Sequence, residues 1–148
     1  MNTKLQEFFE NRGHPYYAVD IIHNWTDQQW EKSHDFIQWL FPTTTKSKYN
    51  QDAPLLDAKT ARWIKDKYDS AIHLAVLRFI KFLKDTDALN KQNHNFLRIT
   101  RVIQSLREMG FYMYAQLFFN YVMSWTTVNG THFEYWTNAM TINSLTKV

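Results

Sequence analysis

No cysteine occurs among the 148 residues, which excludes disulfide frameworks, thiolate zinc sites and cysteine nucleophiles. Glycine and proline number three each, too few to punctuate a many-stranded all-β fold. No apolar run reaches the roughly 18 residues a membrane span needs; the nearest, AIHLAVLRFIKFL, is interrupted by Arg78 and Lys81. The N-terminal stretch MNTKLQEFFENRGH has no apolar core of the kind a signal peptide carries. H-E-x-x-H, G-x-S-x-G, G-x-G-x-x-G and P-loop patterns are all missing, so no zinc, hydrolase or phosphate-loop chemistry is supported. The expectation is a soluble cytoplasmic protein without a cofactor or metal and without assigned catalytic residues.

Hydrophobic residues make up 45% of the chain and aromatics 17%. A chain of this size buries about 68–70% of its unfolded surface, enough for a real core. One all-α domain of about six helices, spanning residues 1–148, is the expected architecture. Net charge is only +3, but it is unevenly spread. Residues 78–107 carry seven Lys and Arg against two Asp, whereas residues 1–57 carry five against eight Asp and Glu. Such asymmetry either steers an anionic partner or marks two differently solvated faces.

Periodicity and capping chemistry place the helices. The first runs from a Thr3 cap to Asn11, with Gly13 beyond it, and YAVDIIHN forms a second short segment. Thr26 or Asp27 caps a third that continues to Leu40, its stripe made by Trp30, His34, Ile37 and Phe41, until Pro42 forbids continuation. Residues 42–54 read as a loop. Asp57 caps a long helical segment that breaks near Lys67–Asp69. Asn95 caps a helix to Met109 with the stripe Phe96, Ile99, Val102, Ile103, Leu106 and Met109, and Gly110 supplies its left-handed end. Phe111–Trp125 follows, and Thr131 with Glu134 matches a capping box opening a last helix. The sequon Asn129-Gly130-Thr131 carries no meaning for a cytoplasmic chain.

Two stretches carry candidate chemistry. In KSHDFIQWLFPT the dipeptide His34-Asp35 invites comparison with metal-dependent HD-type phosphohydrolases, His23 and Asp87 nominally filling the outer roles. A lone HD pair is a weak signal, and consecutive helical residues point about 100° apart; a core histidine bonded to backbone or carboxylate is the favoured reading. In NHNFLRITRVIQSL, Arg98 and Arg101 sit one turn apart beside an apolar stripe. Arginine so placed pairs with a carboxylate, or fixes a phosphate or peptide carboxylate by its fork geometry.

Together DIIHNWTDQQWEKSHDFIQWLFPT and NHNFLRITRVIQSLREMG resemble the conserved region of the opioid growth factor receptor family, over roughly Asp20 to Gly110. The chain looks like a short, microbial member. Trp30 replaces an expected leucine, and RFIKFLKD departs from the family's end of the long helix. The resemblance implies an all-helical, signalling, receptor-like binding module. In animal members, which are also nuclear, it implies binding of an enkephalin-type pentapeptide. It transfers no catalytic residue.

The reading adopted is therefore a non-enzymatic module with a peptide or protein ligand, whose cleft is lined by His34, Asp35, Gln38, Trp39, His94, Asn95, Arg98 and Arg101. The two blocks are expected to meet through an ion pair of His34 or Asp35 with Arg98 or Arg101. Nucleic-acid binding through residues 78–107 and an HD-type phosphohydrolase are the alternatives. Phe111 to Phe133 contains no charged residue. Its expected core face is Phe111, Tyr114, Ala115, Phe118, Tyr121, Val122 and Trp125. A second cluster, Tyr112, Phe119 and Met123, is either covered by the C-terminal segment or forms a homodimer interface.

Overall fold

The computed structural model describes residues 1–48, 50–90, 93–126 and 131–146. Among them the chain is mostly helical. The helices are α1 (Thr3–Phe9), α2 (Ala18–His23), α3 (Asp27–Lys32), α4 (Phe36–Leu40), α5 (Ala58–Lys67), α6 (Asp69–Asp85), α7 (Asn95–Met109), α8 (Tyr112–Trp125) and α9 (Thr131–Ala139). The only extended pairing among the described residues is a parallel bridge between Thr43 and Leu55. The all-α expectation holds, with nine helices among the described residues in place of about six; the expected helix from Thr26 to Leu40 is in two pieces, α3 and α4.

Local chemistry explains most boundaries. Asn2, rather than Thr3, caps α1 by accepting from the Leu5 amide at 3.0 Å. Thr26 and Gln29 form a reciprocal capping box on α3, and Asp57 accepts from the Thr60 amide at 2.8 Å to open α5. Gly110 ends α7 at φ +88°, a conformation costly for any side-chain-bearing residue. α5 and α6 part at Tyr68, where the break was expected. The expected cap at Asn95 is displaced: Asn93 accepts from the Asn95 amide at 2.8 Å, and Asn95 lies inside the helix. The Thr131 capping box and the sequon fall outside the described side chains.

The centre of the fold is α7. Helices α5, α8 and α9 all pack on it, and its six stripe residues are buried. Trp136 of α9 is fully enclosed and donates its indole N–H to the Phe96 carbonyl at 3.2 Å. Helix α9 therefore packs on α7, while the chain beyond it reaches the second cluster of α8 at Tyr112, whose hydroxyl accepts from the Ser144 amide at 2.8 Å. On the other side α6 packs on α2, α3, α5 and α8, with Phe79 stacked on Phe118 and beside Trp30. All buried apolar side chains belong to one cluster.

Candidate functional site

The expected single helix from Thr26 to Leu40 stops at Lys32 and restarts at Phe36. In an unbroken helix the Trp30 and Ser33 carbonyls would accept from the His34 and Ile37 amides. Here both accept from one side chain: Arg98 donates to Trp30 O at 2.7 Å and to Ser33 O at 2.6 Å. Its guanidinium also donates to Asn95 Oδ1 at 3.2 Å and lies 5.4 Å from the centre of the Phe36 ring. Arg101 repeats the device one turn later, its Nε donating to the Phe41 carbonyl at 3.1 Å, at the end of α4. A cation at a helix C-terminus complements the local dipole. Two arginines of the second block thus cap two short helices of the first.

The blocks meet, but not through the expected ion pair. Among the described residues no salt bridge joins His34 or Asp35 to either arginine. The carboxylate that crosses is Glu31, with His94 Nε2 at 2.8 Å from Oε1 and Asn95 Nδ2 donating to Oε2 at 3.3 Å. Asp35 instead accepts from the Tyr16 hydroxyl at 3.0 Å. His34 is exposed rather than enclosed, because the break at Ser33 turns it off the stripe that buries Trp30, Ile37 and Phe41. Both arginines are depressed from their ordinary pKa by burial, partly offset by Glu31 for Arg98 and by Glu108 for Arg101, the latter to about 10. Both remain charged at neutral pH.

Between the blocks runs an open groove of about 570 Å³. One wall is His34, Ile37 and Gln38; the other is the outer side of α7 with His94, Leu97, Arg98, Arg101 and Gln104; loop 43–48 closes the end. The loop is tied down at several points. Glu108, 6% exposed, accepts from the Thr44 amide at 2.9 Å and the Thr44 hydroxyl at 2.6 Å. Gln104 donates to Thr45 Oγ1 at 2.8 Å, and Gln38 donates to Ser47 Oγ at 3.2 Å while accepting from Asn50 Nδ2 at 2.7 Å. Lys46 and Lys48 stand exposed on the rim. The lining contains no carboxylate; Glu31 and Glu108 lie behind the walls, each already bonded.

Of the eight expected ligand residues, His34, Gln38, His94, Arg98 and Arg101 border the groove, and Asp35, Trp39 and Asn95 do not. Trp39 faces the opposite way, its ring 4.2 Å from His14 and 6.1 Å from Phe8. The loop residues and Leu97, 64% exposed, were missed. An exposed leucine on an otherwise polar helix face is the one sequence signal that would have found the α7 wall.

The Arg78–Arg107 excess is largely engaged within the fold. Arg78 pairs with Asp27 at 2.8 Å and donates to the Trp25 carbonyl, Lys81 pairs with Asp85, and Arg107 donates to the Ile142 carbonyl at 2.9 Å. No three His, Asp or Glu residues converge as a metal cluster among the described residues, and His34 and Asp35 diverge. On α8, Ala115, Phe118 and Val122 are buried as expected, Tyr114 and Tyr121 are partly covered, and Trp125 is 62% exposed. In the second cluster Phe119 packs against the core, Met123 is exposed, and Tyr112 is covered on one side by Arg107, 3.9 Å from its ring centre.

Fold and groove together define an all-helical domain with a cation-rimmed cleft at the junction of two sequence blocks. The chain belongs to the opioid growth factor receptor family: the model described as "Opioid growth factor receptor (OGFr) conserved region" matches residues 71–144. That span contains the second block and begins beyond the first. Among relatives, the rat opioid growth factor receptor is 32% identical over 113 residues, covering 62% of this chain and 20% of its own. The human protein is 31% identical over 116 residues, covering 64% and 17% respectively. The mouse opioid growth factor receptor-like protein 1 is 25% identical over 138 residues, covering 78% and 29%. The chain thus spans about a fifth of the length of the first two relatives. No solved structure matches. No helix among the described residues is long and apolar enough to cross a membrane.

Proposed function

We propose that this chain is a non-enzymatic binding module whose groove takes a short extended peptide. The observation carrying the proposal is the groove itself. It lies within the size range of small-ligand sites and combines apolar walls with a few convergent polar groups. Its floor is fixed by arginine caps and its end by a loop bonded to both sides, so little ordering is required on binding. The name of the animal relatives, which speaks of a growth factor received, supports a peptide as the ligand class. Cytoplasmic action, possible without disulfides, completes the reading. The test is amide chemical-shift mapping of the labelled chain with a pool of random acetylated tetrapeptides. Shifts are expected at Gln38, Thr45, Ser47, Leu97 and Gln104; shifts gathered on another face would overturn the reading.

The exposed side of α8 is proposed as the surface for a second copy of the chain. Met113 is 83% exposed there, with Leu117 one turn further along and 40% exposed. An isologous contact sets like side chains near one another, and an uncharged helix does so without self-repulsion. Sedimentation should give a dimer at micromolar concentration that Leu117→Glu converts to a folded monomer. A monomeric wild-type chain would refute this.

A further inference from the structure

Resting on the groove's assignment as the ligand site, we infer that its loop-side end is an oxyanion subsite that holds the C-terminal carboxylate of the bound peptide. Arg101 carries the argument. Its Nε is bonded to a carbonyl, but its Nη2 is buried without any partner. An unpaired buried donor on a cation is costly, and the cost is recovered when an acceptor arrives. The carboxylate nearest in effect, Glu108, is held by two bonds from Thr44 and offers no hydrogen bond to the guanidinium. Arg98, by contrast, is bonded through both terminal nitrogens, to Trp30 O, Asn95 Oδ1 and Ser33 O.

Lys46 and Lys48, on the loop, line the same groove as Arg101. Both are exposed and neither forms a salt bridge among the described residues. A carboxylate entering between this rim and α7 meets two flexible ammonium groups and the guanidinium below, with no lining carboxylate to repel it. A small movement of the Arg101 side chain toward the groove gives Nη2 its missing acceptor. Ile37 and Leu97 then face the apolar side chains that precede the terminus.

The experiment is affinity selection on the immobilised full chain with random acetylated tetrapeptides, supplied as free acids or as C-terminal amides. Acids should be retained about tenfold over amides, and the preference should fall several-fold in Lys46→Gln/Lys48→Gln and disappear in Arg101→Gln. Both lysines are surface residues, so the double variant stays informative should Arg101→Gln unfold. Equal retention of acids and amides, displaced by neither set of substitutions, overturns the subsite while leaving the groove as a peptide site. Retention of neither pool overturns the groove's assignment and the subsite with it. Displacement of the acids by inorganic phosphate at comparable concentration would overturn selectivity for a carboxylate in favour of a general oxyanion site.

Discussion

Replacing Arg98 by alanine tests the joint between the two halves of the chain. Arg98 is 7% exposed and its truncation deletes the donors to Trp30 O, Ser33 O and Asn95 Oδ1. The bond to Trp30 O is buried, and losing the donor to a buried carbonyl costs about 1–3 kcal/mol. The Ser33 bond is only partly buried, so water replaces some of it, at about 1 kcal/mol. Loss of the cation from the Phe36 face adds about 0.5–1 kcal/mol. Relief of the desolvated charge, evident in its depressed pKa, offsets part of the sum. A net loss of about 3 kcal/mol remains, which at a urea dependence of about 2 kcal/mol/M moves the midpoint down by about 1.5 M. Tryptophan fluorescence is the assay, since Trp30 lies at the joint. Glu31→Gln is the control: its side chain is 39% exposed, so it should cost under about 1 kcal/mol. A midpoint unchanged in Arg98→Ala, or Glu31→Gln equalling it, would refute the carbonyl-capping account.

Glu108→Ala should cost about 2–4 kcal/mol, because it strands the Thr44 amide and hydroxyl and frees the loop; protease cutting within 43–48 should rise in parallel. Tyr114 donates to Asp69, and that bond, with some burial, pushes its phenol up to about 12. In ultraviolet titration its ionisation should fall near pH 12, and Asp69→Asn should bring it down. Since the unfolded phenol ionises near 10, the stability this bond gives is present below that pH and lost as pH rises from about 10 to about 12. Alkaline denaturation should accordingly be less steep in Asp69→Asn. Trp30→Leu, restoring the residue expected from the family resemblance, should cost about 2–4 kcal/mol by thermal melting, through a cavity and the loss of the 3.0 Å bond to the Ile21 carbonyl.

What was legible in the sequence was local. The α7 stripe, the Thr26 and Asp57 caps, Gly110 and the Tyr68 break all follow from spacing of a few residues. What was not legible depends on partners far away along the chain. Nothing in WEKSHDFIQW announces a break at Ser33, because the residue that captures its carbonyls lies 65 positions later. The arginines drew attention as charged groups needing carboxylates; guanidinium forks satisfy carbonyls equally well, and short helix ends supply them. Five of the eight expected residues border the groove for the same reason: residues on the flank of α7 were visible by period, whereas the tethered loop was not.

The arginine caps also have a kinetic consequence. A bond spanning residues 30 to 98 must close a long loop, and closing about 65 residues of flexible chain costs roughly 4 kcal/mol of entropy. Helices of six and five residues are far too short to persist alone in water. The first block therefore acquires its bent shape only after α7 has formed and docked. Substitutions in α3 and α4 should mainly accelerate unfolding, while those in the α7 core slow folding. A ribosome releasing the first 57 residues exposes an aromatic-rich segment that has no template until the second half emerges.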